Sequence, residues 1–284
     1  MLPEKTSLIT EASLYAGFNS FLRTALKYWR NFIIEIDQRV ITQTTIQNIN
    51  RHLTDGNSVV LFDHHYAFDA IPASLALSKM LSNVAGAIIP YAAHLDMGVD
   101  PEGLRSYRYR LRKFFFRQFI RTVQKVNSNI HLFPVVREFE LETPRLKTIA
   151  DKQFKGANIK YLKSLVQIFS HYQTGQLCIL SPMGGIAFPE KPVLHPLVYR
   201  SMELVQAKYG EPIPFFFIGA YPQLRAHYHY YAPLLNRHTV VMRGPFYLPT
   251  ITYQQAYATV DSHLRELRQI ANFVPPDYSR IAHK

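Results

Sequence analysis

Two residues open a chemical reading of this chain. His64 and Asp69 stand five apart in Asp63-His64-His65-Tyr66-Ala67-Phe68-Asp69, which Ala70-Ile71-Pro72 follows. A carboxylate on one ring nitrogen of an imidazole fixes its tautomer, and the other nitrogen is then a general base. Such a dyad can deprotonate a hydroxyl without a protein nucleophile. The spacing alone is not specific in a chain with twelve histidines. Asp69 also reads as a helix N-cap, with Pro72 in a first turn whose amides have no helical partner. The setting strengthens the functional reading. Ser58–Phe62 reads as a buried strand and Asp69–Ser82 as a helix, so His64 falls at a strand's carboxyl end, where open α/β sheets bind ligands.

Other residues could serve the same cleft. Arg137 closes Phe133-Pro134-Val135-Val136-Arg137 and is the best placed phosphate anchor. Gly184 and Gly185 end Leu177-Cys178-Ile179-Leu180-Ser181-Pro182-Met183-Gly184-Gly185. Two glycines permit a tight turn that brings backbone amides toward an anion or oxyanion. His94-Leu95-Asp96 follows a second strand and could line the cleft, with a loop hydrogen bond as its simpler role. His227 and His229 alternate as on a strand face, but no carboxylate stands close by, so they read as surface rather than metal ligands. Ser181 lacks the flanking glycines of a nucleophile elbow, and no Walker or Rossmann glycine pattern sits at a strand–helix junction.

These residues need a scaffold, and the hydrophobic pattern supplies one. Helices are expected at 43–54, 69–82, 104–126, 158–173, 195–209 and 253–271. Strands are expected at 58–62, 86–91, 130–136, 176–181, 213–219 and 240–243. Short apolar strands alternating with amphipathic helices predict an α/β fold with a mostly parallel central sheet and helices on both faces. The polar stretch 138–156 reads as a long loop or insertion. A helical N-terminal segment, 1–55, precedes the α/β body, 56–284. Within it, residues 7–34 have the period of an amphipathic helix, with Tyr15, Phe18, Leu22, Leu26, Trp29 and Ile33 on one face. That helix would either pack on the core or lie in a membrane interface, where Phe18, Phe21, Trp29 and Phe32 could insert.

A strand followed by His-x-x-x-x-Asp and a helix resembles the first block of the glycerolipid acyltransferase superfamily. Three later segments fall in that family's order. Residues 133–137 resemble its second block, 177–185 its third, and Pro212-Ile213-Pro214-Phe215-Phe216-Phe217-Ile218 its fourth, a Pro-led strand. The third is more similar to the plastid-type glycerol-3-phosphate acyltransferases than to the bacterial lysophosphatidate enzymes. The resemblance covers about residues 55–225. It implies transfer of a fatty acyl group from acyl-CoA or acyl-carrier protein to a hydroxyl of glycerol 3-phosphate, a lysophospholipid or a related acceptor. It implies His64 and Asp69 as the catalytic pair, Arg137, Gly184 and Gly185 at the substrate, and no metal or other cofactor. The chain departs from the pattern in two places. Asp63 stands where the family usually has Asn, and Ile186 and Phe188 replace the arginines that would hold an acceptor's phosphate.

Charge points to an anionic partner. The net charge is +12, yet residues 1–95 hold seven bases and seven acids, while residues 104–125 hold eight bases and no acid. On the helix expected there, Arg110, Lys113, Arg117, Arg121 and Lys125 form one stripe, and Tyr107, Leu111, Phe115 and Phe119 the neighbouring one. The stripe would meet a membrane surface or an acyl-carrier protein, or be a solvated face. Nucleic acid is the least favoured partner, because no known nucleic-acid module accompanies the helix. A non-catalytic member of the same fold that binds lipid or an acidic partner is the main alternative to an enzyme. The single cysteine, Cys178, fits a reducing compartment and excludes an intramolecular disulfide. No apolar run reaches the ~18 residues of a membrane span, and the first residues lack a secretory pattern. A cytoplasmic protein, peripheral on the inner face of a membrane, is the expected location.

Overall fold

The computed structural model describes residues 34–36, 43–65, 73, 76–77, 80–82, 84–100, 103–104, 107–126, 130–170, 174–184, 192–210, 212–223, 237–247 and 251–275. The elements, in chain order, are β1 (Ile34–Ile36), α1 (Gln43–Asp55), β2 (Ser58–Asp63), β3 (Gly86–Ala92), α2 (His94–Met97), α3 (Tyr107–Val126), β4 (Ile130–Val135), α4 (Glu138–Glu142), α5 (Pro144–Gln153), α6 (Ala157–Ser170), β5 (Gln176–Leu180), α7 (Pro196–Tyr209), β6 (Phe215–Pro222), β7 (His238–Phe246) and α8 (Tyr253–Ile270). Positions 73, 76, 77 and 80 between β2 and β3 are helical and buried.

The seven strands form one sheet in the order β1-β7-β6-β2-β5-β3-β4. Every neighbouring pair is parallel except β6–β7. The expected α/β class and mostly parallel sheet are therefore present. β2 lies at the centre, buried along its whole length, as are β5 and nearly all of β6. This is why Val59-Val60-Leu61-Phe62 and Phe215-Phe216-Phe217-Ile218 read as continuous apolar runs rather than alternating ones.

Alternation divides the side chains between two cores. Val60 and Phe62 of β2 and Phe216 and Ile218 of β6 pack with Ile49 and Leu53 of α1 and with Ala73, Ala76 and Leu77. Val59 and Leu61, Phe215 and Phe217 face the other way, against α6, α7 and α8. A right-handed connection from β2 to β3 and one from β5 to β6 run in opposite directions across the sheet and put their helices on opposite faces. The carboxyl ends of β2 and β5 therefore lie at a topological switch point, the usual crevice for a ligand.

Caps fix the helices that cover the site. α8 starts with a capping box in which the Thr252 hydroxyl accepts from the Gln255 amide and the Gln255 side chain accepts from Thr252. α7 starts at His195, whose Nδ1 accepts from the Leu197 amide, and ends at Gly210 in the left-handed region.

Two expectations change. Residues 138–156 hold α4 and α5 instead of one long loop. Pro144 starts α5 at its first turn, and Leu146 and Ala150 bury a narrow apolar edge beside Ala93, Met97 and Val99. Only those few apolar positions among many polar ones mark the helix, which is too weak a period to stand out in sequence. β7 runs over 238–246 rather than 240–243, because it pairs along nearly the whole of β6. Residues 34–36 add a strand to the sheet and 43–55 a helix to its core. The amphipathic helix expected at 7–34 otherwise lies outside the described residues.

Candidate functional site

Parallel pairing brings the singled-out segments to one edge of the sheet. From β6 across to β4 that edge carries Tyr221, then Asp63-His64-His65, then Ser181–Gly184, then His94, then Arg137. His64 directly follows β2. Its ring lies 4.9 Å from that of Phe62 and is partly exposed. Asp69, the carboxylate expected to orient it, lies outside the described residues, as do Gly185, Ile186, Phe188, His227 and His229.

Beside His64 the structure assembles a buried cluster that sequence reasoning did not find. Asp63 continues the alternation of β2, so its side chain turns to the α8 face. There Arg268 grips it with two bonds, Nε to Oδ2 at 2.7 Å and Nη2 to Oδ1 at 2.8 Å. The Tyr221 hydroxyl donates to Oδ2 at 2.8 Å. Nε2 of His65 comes within 2.9 Å of the same oxygen. Phe273 closes the cluster, stacked on Tyr221 at 4.6 Å and tilted against His65 at 5.0 Å. Gly219 makes this possible. It is level with Asp63 in the β2–β6 register, and the Tyr221 ring lies so close over it that a Cβ would come within 2.3 Å of ring atoms. Gly219→Ala is therefore expected to displace Tyr221 and lower the melting temperature, while a thermal melt equal to wild type would show that the ring has room.

Burial by itself would raise the Asp63 carboxyl. The charge of His65 and the bonds and charge of Arg268 outweigh burial and hold it well below the usual carboxylate range. Asp63 and Arg268 form a structural ion pair, and His65 is buried behind Phe273. Of the two adjacent histidines, His64 is the partly exposed one. Asp63, where the acyltransferase block that this segment resembles usually has Asn, was the one sequence signal of this cluster. Arg268 lies 205 residues away and gave none.

The turn after β5 matches its glycines. Gly184 adopts φ 68°, the left-handed region. Its amide, however, donates to the Ser181 carbonyl at 3.0 Å. That bond occupies the Gly184 N–H, which was expected to face an anion or oxyanion. Arg137 lies two residues past β4 and is half-buried, with its own amide donating to Glu140 Oε2 at 2.7 Å. Cys178 is a core thiol that burial pushes up to about 12, too high for a nucleophile.

On α3, Arg110, Arg117 and Arg121 are exposed, and Arg117 pairs with Asp96. Lys113 is half-buried, with its stem over Gly98, and the Lys125 side chain lies outside the described residues. The apolar row does not all face inward. Of that row Tyr107 is 73% exposed and Leu111 41%, the Phe115 and Phe119 side chains lie outside the described residues, and the neighbouring Phe114 is 54% exposed. Among the described residues, no helix is long and apolar enough to cross a membrane, and no group of three or more His, Cys, Asp or Glu could hold a metal ion.

No protein-family model matches the chain, and no curated protein matches it in sequence.

Proposed function

We propose that the chain is an O-acyltransferase that moves a fatty acyl group from a thioester, acyl-CoA or acyl-carrier protein, to a hydroxyl of a glycerolipid-type acceptor. The observation that carries this reading is the position of His64. It follows the central strand at the switch point, between the glycine turn after β5 and the carboxyl end of β6, with Arg137 on the same sheet edge. Three of the four segments that resemble the acyltransferase blocks thus converge there, and the fourth forms β6 beside β2.

In the proposed reaction His64 takes the proton from the acceptor hydroxyl. The oxygen attacks the thioester carbonyl, a C–O bond forms, the C–S bond breaks, and the thiolate leaves with the proton from His64. Asp69 would hold the imidazole, a role that rests on the resemblance. Donors aimed at the developing oxyanion are worth about 3–4 kcal/mol in related chemistry, and the Gly185 amide is the candidate. Arg137 would hold an acceptor phosphate. Arg137→Ala is then expected to lower kcat/KM for phosphorylated acceptors by about 2–3 kcal/mol, as for a charged hydrogen bond, and to spare unphosphorylated ones. Equal losses on both kinds of acceptor would remove the phosphate role.

The exposed face of α3 supports an anionic surface as the docking partner. Three arginines alternate there with Tyr107, Leu111 and Phe114, and each cation near an anionic membrane contributes about 1 kcal/mol. Arg110→Glu with Arg121→Glu is expected to abolish salt-sensitive sedimentation with anionic liposomes. Unchanged sedimentation together with weaker use of an acyl-carrier-protein donor would assign the face to the carrier instead.

A further inference from the structure

A second histidine on the same sheet edge has a carboxylate partner within the described residues. His94 starts α2 directly after β3, and Glu140 reaches it from α4. The Glu140 side chain is fully buried. Its Oε1 accepts from the His94 amide at 2.6 Å and lies 3.1 Å from the His94 ring Nδ1, and its Oε2 accepts from the Arg137 amide at 2.7 Å. A carboxylate with both oxygens accepting leaves Nδ1 as the donor, so Nε2 is the basic ring nitrogen. The His94 side chain keeps 23% of its surface exposed.

We propose that His94 and Glu140 form a second acid–base centre of this cleft, which takes the proton from a hydroxyl of a phosphorylated molecule held by Arg137 and Arg112. The site is built for proton transfer in two respects. Glu140 ties the imidazole and the His94 amide to the Arg137 backbone, so one carboxylate positions the ring beside the loop that carries Arg137. Burial of the ring also favours its neutral, basic form. Burial pushes the imidazole below its ordinary value, Glu140 pulls it up by bond and charge, and Arg137 and Arg112 press it down again. Asp96, two residues on, is engaged by Arg117. Arg112 is itself fixed, stacked at 4.5 Å over Tyr109 with Nη2 donating to the Val99 carbonyl at 3.4 Å.

The strand registers make Leu61 level with Leu180 and Cys178 level with Ile88, so the ends of β2 and β3 stand at the same height. One strand separates them, which puts His64 and His94 about 10 Å apart along the edge. The substrate class rests on the acyl-transfer reading: an acceptor with two hydroxyls and a phosphate would offer one hydroxyl to each imidazole. At His94 the O–H bond breaks as Nε2 gains the proton. The oxygen bonds to the acyl carbonyl carbon, the C–S bond breaks, and the thiolate recovers the proton.

The test combines imidazole 15N NMR of the full chain with turnover, using His94→Gln to assign the ring. The expected result is Nδ1 protonated and Nε2 bare at neutral pH, with added inorganic phosphate shifting the His94 signals and raising its titration midpoint. Glu140→Asp should weaken that tautomer preference, which keeps the test valid if Glu140→Gln does not fold. His94→Gln should slow acylation of a phosphorylated diol by about a hundredfold at one hydroxyl, the low end for a general base, and spare an acceptor with a single hydroxyl. A proton on Nε2, or His94 signals that ignore phosphate, overturns the proposal. So does a folded His94→Gln protein with wild-type rates on every acceptor, which leaves the acyl-transfer reading standing. The NMR signature with no thioester turnover by wild type would instead uphold the acid–base centre and remove the acyl-transfer reading.

Discussion

Replacing Arg268 by Met is expected to cost about 3–5 kcal/mol of folding stability, the usual result of leaving one charge of a buried pair alone. Asp63 is fully buried, and its carboxylate depends on Arg268 for two of its bonds. Tyr221 and His65 remain in the variant, but Tyr221 carries no positive charge and His65 only one that is lost when its ring is deprotonated. Removing both partners together, Asp63→Leu with Arg268→Met, should recover much of the loss, because no uncompensated charge stays behind. The pH dependence follows from the same pair. The folded carboxyl titrates below its unfolded value. Its stabilisation is therefore fully present above the ordinary carboxylate range and is lost as pH falls through the depressed folded value. Urea unfolding of wild type should show a stability loss on acidification that is smaller in the double variant. A single Arg268→Met variant as stable as wild type would show that Tyr221 and His65 satisfy Asp63 alone.

The fold was legible in sequence where local pattern and tertiary demand agree. The central strands are buried on both faces, so their apolar runs stood out, and the apolar period marked α7 and α8. The position of His64 at a strand end was legible for the same reason. What was hidden depends on contacts between distant parts of the chain. The partner of His94 is 46 residues away on a short helix in a stretch that read as loop. Asp63 and Arg268 meet only because strand alternation turns one under the helix that carries the other. The Gly184 turn was predicted, but the direction of its amide was not, since a φ preference does not say which carbonyl the N–H will meet.

The central claim is that His64 performs the chemistry. His64→Ala is expected to remove acyl transfer nearly completely and leave the fold intact, because the side chain is partly exposed and belongs to neither core. Asp69→Asn should also lose activity through tautomer control and imidazolium stabilisation, a substitution that costs about 10⁴-fold in kcat in a comparable triad. His65→Ala should instead lower stability, since that ring is packed between Asp63, Tyr221 and Phe273. The two adjacent histidines thus give opposite signatures, one in turnover and one in melting temperature.

The most direct measurement is thioester consumption by purified protein, with long-chain acyl-CoA and acyl-carrier-protein donors and glycerol 3-phosphate, lysophospholipid and unphosphorylated alcohol acceptors, run beside His64→Ala. The account predicts acceptor-dependent release of free thiol by wild type and none above background by a folded His64→Ala protein. Wild-type turnover in that variant, or no turnover by wild type with any pair of donor and acceptor, would contradict it.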